Sequence, residues 1–400
     1  MIEIKRKEDC TGCFACYNIC PKKAINMAED NEGFKYPVID SKKCINCGLC
    51  TKVCPMLSKT NVSKKNEKPE VYAAWSKNEE IRLDSTSGGI FSELANYFYD
   101  NNGIVCGAIY NENNLVEHVI STNRKDIDNI RSSKYLQSDI NDIYKSIKEK
   151  LEQKRLVLIC GSPCQISGLY NFLGKDYENL YTCDFICRGM NSPKIFKKYI
   201  NNLEEKYHSK VKKIKFKNKI HGWHNFSTRI DFENGKRYIG GRYVDSYMLG
   251  YLKYNAFMRP SCYSCHFKGL PKNSDITLAD FWGIENINPS LDNNKGTSMM
   301  LINSEKGKKL FNKIKNNIEF EQILSKEIFE QNVCNSSSPK ITESRKKVFK
   351  NIDKMSYDEL KNNYFPVPSK KERIIIFIKN NRLVFSLKKV IKKVIRNGKK

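Results

Sequence analysis

The chain runs to 400 residues, enough for two or three domains around a sizeable core, and its 70 Lys and Arg against 44 Asp and Glu leave a formal net charge of +26. Met1 to Cys10 lacks the apolar core of a signal peptide, and no apolar run approaches a membrane span, Ile374–Ile378 being one short run. A secreted or membrane-spanning protein is therefore not expected, and 16 cysteines point instead to metal-bound thiolates in a cytoplasmic protein.

The chain opens on two cysteine runs of one spacing. Cys10, Cys13, Cys16 and Cys20 precede Pro21; Cys44, Cys47, Cys50 and Cys54 precede Pro55. Both read C-x2-C-x2-C-x3-C-P, the bacterial ferredoxin run, in which three thiolates of a tight loop hold one [4Fe–4S] cluster and the fourth comes from the partner run. The expected sets are Cys10, Cys13, Cys16 and Cys54 for one cluster, and Cys44, Cys47, Cys50 and Cys20 for the other. Gly12 and Gly48 are expected to let the loop backbone approach the sulfurs. Zinc favours separated ligand pairs, and disulfides favour small secreted scaffolds, so neither fits. Residues 1–57 are thus a two-cluster ferredoxin domain, and the apolar-poor stretch 58–69 is a linker.

Strands are expected at Val71–Trp75, Ile104–Tyr110, Val116–Ile120, Leu156–Cys160 and Tyr181–Phe185, with helices at Ile90–Tyr99, Asp139–Gln153 and Gln165–Leu173 and one from Pro193. Further strands are expected at Val211–Phe216, Ser227–Phe232, Ile276–Ala279 and Ser298–Ile302. The alternation points to an α/β body, with α+β character, on a mixed, partly parallel sheet.

Six body cysteines sit in suggestive places. Cys160 and Cys164 bracket a strand-to-helix turn, Cys183 and Cys187 close the next strand, and Cys262 and Cys265 form a two-residue hook. Ligand sites in open α/β sheets gather at the carboxyl ends of strands. A third [4Fe–4S] cluster on Cys164, Cys187, Cys262 and Cys265 follows, with Cys160 and Cys183 inside strands; free thiols and a zinc site are the alternatives. Cys106 and Cys334 are ordinary buried thiols.

The segments STSGGIFSELA (85–95), RSSKYLQSD (131–139), CGSPCQISGL (160–169), DFICRGMNSPKIFKKYI (184–200) and RPSCYSCHFKGLPKNSDITLADFWGIE (259–285) occur in order. Together with the fused ferredoxin they resemble the family of coenzyme F-420 hydrogenase/dehydrogenase beta subunits, in particular its bacterial polysaccharide-cluster type. The resemblance implies a flavoprotein body, with residues 70–153 as an N-terminal and 154–340 as a C-terminal catalytic domain. It also implies non-covalent FAD fed by the iron–sulfur clusters, and it supports the same four body cysteines. The substrate it implies is the deazaflavin coenzyme or a polysaccharide-biosynthesis intermediate; an electron relay with no substrate of its own is the alternative. The family often has His after the cysteine of the DFIC segment, where this chain has Arg188.

Under that resemblance the flavin residues are Ser85, Ser87, Gly88, Gly89, Lys134, Tyr135, Gln137, Ser138, Gly161, Ser162 and Asp280. Ser85–Gly89 precede a helix whose free N–H groups can meet a phosphate; a plain serine-rich cap is the alternative. Lys134, Tyr135, Gln137 and Ser138 offer a cation, a ring and amide donors, or simply make a surface turn. Asp280 can accept from a ribose hydroxyl or flavin N–H, or cap a turn. His221, Trp223 and His224 suit a substrate pocket or an ordinary loop. No general acid is named.

Residues 341–400 hold 18 Lys and Arg against 5 Asp and Glu, half of the net charge, and form a separate basic tail. Leu383, Leu387, Val390, Ile391 and Val394 face opposite Lys388, Lys389, Lys392, Lys393 and Arg396 on a helix that can lie on an anionic membrane. The basic excess can serve nucleic acid, anionic lipid or an acidic protein; no nucleic-acid motif accompanies it. The expected partners are therefore a reduced electron carrier or redox protein and an anionic membrane at its inner face.

Overall fold

In the computed structural model, residues 2–58, 66–325, 328–369, 371–373 and 375 are described. The ferredoxin module pairs two helical turns, Ala15–Ile19 and Leu49–Lys52, with an antiparallel hairpin of β1 (Ile25–Glu29) and β2 (Lys35–Ile39). Each helical turn starts from a left-handed residue, Phe14 and Gly48. A Cβ on Gly48 would meet nothing within 4 Å, so conformation alone asks for glycine there. Gly12 differs: its Cβ would strike Gln137 Nε2 at 2.5 Å and Arg259 Nη1 at 2.9 Å. Gly12 is also in the left-handed region, at a φ of 68°, so both the loop conformation and the packing of the body call for glycine there.

The body strands are β3 (Glu70–Ser76), β4 (Ile104–Tyr110), β5 (Val116–Ser121), β6 (Ser138–Asp139), β7 (Val157–Cys160), β8 (Leu180–Phe185), β9 (Val211–Asn218), β10 (Ser227–Phe232), β11 (Arg237–Gly241), β12 (Ile276–Asp280), β13 (Ser298–Ile302) and β14 (Ile318–Gln322). Nine form one mixed sheet in the order β14-β3-β13-β12-β8-β7-β4-β5-β6, and β11-β10-β9 form a second sheet. Neighbours β12, β8, β7 and β4 run parallel, while β13, β3 and β14 add antiparallel partners on one flank. Central strands covered on both faces read as continuous apolar runs; Val157-Leu158-Ile159 and the wholly buried β13 are of this kind.

One face of the large sheet packs under Ile90–Asp100 and Glu305–Ile314. The other face packs under Ile143–Glu152 and Pro163–Leu173, and Phe14, Ala15 and Val53 of the ferredoxin module join that core. The expected helix at Asp139 begins only at Ile143. Ser138–Asp139 pairs with Val116–Glu117 instead, and Asn141 turns the chain through a positive φ of 45°.

The supposedly separate basic tail is part of the body as far as Phe365. Helices Glu343–Asn351 and Tyr357–Tyr364 bury Val348, Ile352, Tyr357, Leu360 and Phe365 against the core around β9–β11 and helix Pro193–Tyr207. The charge count hid a period of apolar residues that faces inward. Residues 376–400, with the amphipathic pattern from Leu383 to Arg396, lie outside the described residues, as do 59–65 of the expected linker. Among the described residues, no helix is long and apolar enough to cross a membrane.

Candidate iron–sulfur and cofactor sites

The two N-terminal runs close around two cavities whose linings share no residue. One is lined by Cys20, Cys44, Cys47 and Cys50, with Pro21, Ile25 and Ile39; the other by Cys10, Cys13, Cys16 and Cys54, with Ile2, Met27 and Met56. Each fourth cysteine has crossed to the other run. The first ring faces outward, with Cys47 exposed beside exposed Ile45 and Leu49. The second is inner: Cys13, Cys16 and Cys54 are buried. Burial pushes all three thiols up, and repulsion from neighbouring ring thiolates adds to it. Buried, mutually repelling sulfurs of this kind become thiolates together only around a cationic core, the chemistry of a metal cluster. Cys16, Cys50 and Cys54 share one small apolar core, so the rings are contiguous.

The inner ring abuts the body. Cys13 Sγ lies 3.0 Å from where a Cβ on Gly168 would stand, on the helix that carries Cys164 near its start. Lys35 pairs with Asp139 at 2.6 Å, and Asn18 donates to the Asn141 carbonyl at 2.8 Å. Gly33 is pressed against Lys194 and Ser192.

Cys164 and Cys187, each just after a strand, lie close enough to Cys262 and Cys265 at the Pro260–Ser264 turn to act on one another. Burial pushes Cys164 up to about 12, with like-charge repulsion from Cys265 and Cys262. Burial likewise drives Cys187 well up, with Cys262, Cys164 and Cys265 adding to it and Lys268 opposing. Backbone N–H groups of Met190 and Phe267 donate to Cys262 and Cys265 sulfurs, each at 3.4 Å. Such bonds stabilise thiolates and raise cluster potentials. Cys160 and Cys183 pair across β7 and β8, and their mutual thiol hydrogen bond and burial push Cys183 well up. Cys106 is buried in the sheet core. Cys334 is not isolated, because Arg188 donates to its sulfur at 3.7 Å and Lys268 to its carbonyl at 2.8 Å. Arg188 also bonds Leu252 O and Asn255, so the departure from His places a held cation against Cys334.

The expected flavin residues separate into two groups. Ser138 and Gly161–Ser162 lie at the carboxyl end of β7, Ser87 bonds Thr297 O beside the end of β12, and Tyr135 packs its ring on Phe216 and Tyr251. Thr86 links to Ser133 at 3.2 Å, joining the two serine-rich loops. Ser138 bonds His118 at 2.6 Å, and His118 reaches the Cys160 carbonyl at 3.1 Å. Ser162 contacts Cys164 Sγ at 3.2 Å and caps the helix through Gln165, so the turn Gly161–Ser162 joins this region to the third ring.

The second group is committed elsewhere. Gly88 lies against Ala74 O and donates to Ser298 at 2.9 Å, so its missing side chain lets the loop pack on β3 and β13. Gly89 caps its helix through a positive φ of 88°. Gln137 bonds Arg259 at 2.8 Å at the ferredoxin junction. Asp280 is held by Lys217 and by Trp223 Nε1 at 3.1 Å, in place of the ribose or cap role expected. Trp223 is buried and stacks on Trp282 at 4.5 Å; His221 bonds Ser227, and His224 pairs with Asp292.

Sequence reasoning missed the cations that line this region. Lys215 and Lys217 of β9, and Lys219 just past its end, reach this region, Lys217 through a positive φ of 53° where the register against β10 shifts. Lys215 and Arg131 meet Asp84, and Lys217 meets Asp280. Among the described residues, Lys219 bonds only carbonyls of Arg82, Ser87 and Lys295, and Lys134 only carbonyls of Ile130, Arg131 and Ser132. Burial lowers Lys134 and Lys219 to about 7 each. Ser85 Oγ and Arg131 Nε are buried without a hydrogen-bond partner. Buried donors and ammonium groups that find only carbonyls fit an anionic ligand such as a pyrophosphate. The alternating Lys215, Lys217 and Lys219 of the sequence were the available signal.

Fold and cysteine rings define an iron–sulfur protein with a dicluster ferredoxin module on a mixed α/β body. Dicluster 4Fe-4S domain models match residues 9–57 and 36–79. The chain belongs to the family of coenzyme F420 hydrogenase/dehydrogenase beta subunits, whose N-terminal model matches residues 71–145 and whose C-terminal model matches 154–326. An uncharacterized protein of Methanocaldococcus jannaschii is 25% identical over 76% of this chain and 85% of its own length. One of the subunits of the F(420)H(2) dehydrogenase of Methanosarcina mazei is 25% identical over 41% of this chain and 48% of its own. The coenzyme F420-dependent sulfite reductase of Methanocaldococcus jannaschii is 27% identical over 40% and 24%. The chain thus spans about half of the second relative and a quarter of the third. A chain of the solved F420-reducing [NiFe] hydrogenase complex from Methanosarcina barkeri aligns over 77% of this chain and 97% of that one, at 18% identity and a TM-score of 0.45.

Proposed function

We propose that this chain is an oxidoreductase that takes single electrons at its outer ferredoxin ring and passes them inward to FAD and a substrate at the cluster of buried cations. The observation that carries the reading is the succession of four-cysteine groups, outer, inner and body, ending at Ser162 beside Cys164. [4Fe–4S] clusters carry one electron at a time and a flavin couples such steps to two-electron chemistry. Cys10, Cys13, Cys16 and Cys54 hold the inner cluster, Cys20, Cys44, Cys47 and Cys50 the outer, and Cys164, Cys187, Cys262 and Cys265 the third. Lys134, Lys219, Arg131 and Ser85 hold the pyrophosphate of FAD, and burial excludes water from it. The same cations suit the substrates the family suggests, the deazaflavin coenzyme or an anionic polysaccharide precursor. The donor is a reduced carrier protein.

Anaerobic purification with iron, sulfide and flavin counted per chain tests this. The reading expects about twelve irons, from about four per cubane, and about one FAD; about eight irons with no flavin contradict it. A relay without its own substrate is the second reading, favoured because the Methanosarcina mazei relative is one of several subunits of a dehydrogenase. Turnover with a reduced carrier and either substrate, without a partner protein, separates the two.

A further inference from the structure

Arg259 is fully buried, and among the described residues no carboxylate forms an ion pair with it. Its Nε donates to the Cys10 carbonyl at 2.8 Å, Nη1 to Gln137 Oε1 at 2.8 Å, and Nη2 to the Lys35 carbonyl at 3.0 Å and toward Cys10 Sγ at 3.5 Å. The guanidinium also lies 4.1 Å from the centre of the Tyr36 ring. Its backbone carbonyl accepts from Cys262 N–H at 2.9 Å, so the residue that grips the inner-ring loop also starts the turn bearing Cys262 and Cys265. Every hydrogen-bond partner of its side chain is neutral except the cysteine sulfur. A buried guanidinium is strongly disfavoured unless an opposite charge lies near it. The carboxylates near Tyr36, Asp30 and Glu32, are paired by Lys7 and Arg345, which leaves the thiolates of the inner and body rings as its counter-charges.

We propose that Arg259 is the fixed counter-charge between the inner ferredoxin cluster and the body cluster. It raises the inner cluster's reduction potential above the outer cluster's, so that an electron arriving at the outer ring is drawn toward the body. This rests on the reading that both N-terminal rings hold [4Fe–4S] clusters. A positive charge near a cluster stabilises its reduced, more negative form, and the surrounding low dielectric strengthens the effect. Arg259 touches no substrate; it is a positioning and tuning residue. Gly12 is part of the device, because a side chain there would push out Gln137 and the guanidinium together.

The test is a potentiometric titration of the full chain, purified anaerobically and followed by electron paramagnetic resonance, with Arg259→Gln and Arg259→Lys beside the unaltered protein. In R259Q the ratio of reduced to oxidised inner cluster at a fixed potential falls about tenfold, equal to ~59 mV for one electron. The outer cluster titrates as before, and R259K recovers most of the ratio. If R259Q loses the inner cluster, retention in R259K supports the proposal, and loss from both overturns it. An inner cluster that titrates unchanged in R259Q, or that shifts equally in both variants, also overturns it. Absence of two N-terminal clusters from the unaltered protein instead contradicts the underlying reading, and that is seen before any variant is compared.

Discussion

Cys54 stands 34 positions after Cys20 in the chain, yet it lines the cavity of Cys10, Cys13 and Cys16. Cys54→Ser should therefore abolish the inner cluster's signal and leave the outer ring's signal in place; loss of the outer signal alone would reverse the assignment. The buried lysines make a second expectation. Protonated Lys134 and Lys219 attract a pyrophosphate, and each loses its proton near pH 7. Flavin affinity should fall as pH rises through about 7, read by fluorescence quenching, and Lys219→Met should flatten the profile. Without ligand the stability sign is opposite. The unfolded chain holds the Lys134 proton up to the ordinary lysine range while the folded chain releases it near 7, so stability rises with pH across that window. A flat denaturation profile between pH 7 and about 10 would count against the burial of Lys134. Local spacing made the cysteine sets legible. It did not reveal Arg259 against Cys10, because their meeting depends on how two units 249 residues apart dock. Nor did it show that Gln137 serves that junction.

Among the elements, the expected strands Ile104–Tyr110, Ser227–Phe232 and Ser298–Ile302 coincide with β4, β10 and β13. Dense apolar or β-branched runs between turn residues fix such limits without tertiary help. β14 has no such signal. Its pattern, Ile-Glu-Phe-Glu-Gln, buries only Ile318, and its pairing with β3 supplies what composition does not. The last two helices escaped because their lysines dominate the sequence while a sparse apolar face does the packing. Leu360 is fully buried in that face. Leu360→Ala should cost about 2–5 kcal/mol and lower the melting temperature of the whole body; a variant that melts like the parent would show these helices to be an appendage. The parallel arrangement of β12, β8, β7 and β4 also explains why three loops bearing Cys164, Cys187 and Trp282 open on one side. Their strands end together there.

At the scale of the molecule, the ferredoxin module is bound into the body rather than tethered to it. Phe14 and Val53 enter the core under the large sheet, and Glu32 is paired by Arg345 from helix Glu343–Asn351. Burial is graded along the succession of rings: the outer ring reaches solvent at Cys47, whereas the inner ring is largely enclosed. On the proposed route an external carrier meets the outer ring, and the inner ring is the passage to the body. The most direct measurement mixes the anaerobic, oxidised chain with a reduced carrier protein and follows cluster and flavin signals by rapid freezing, in the parent and in Cys54→Ser. The parent should show the outer cluster reduced first and the flavin later. In the variant the outer cluster should be reduced at the parent's rate while flavin reduction slows sharply. Flavin reduction at an unaltered rate without the inner cluster would contradict the inward route.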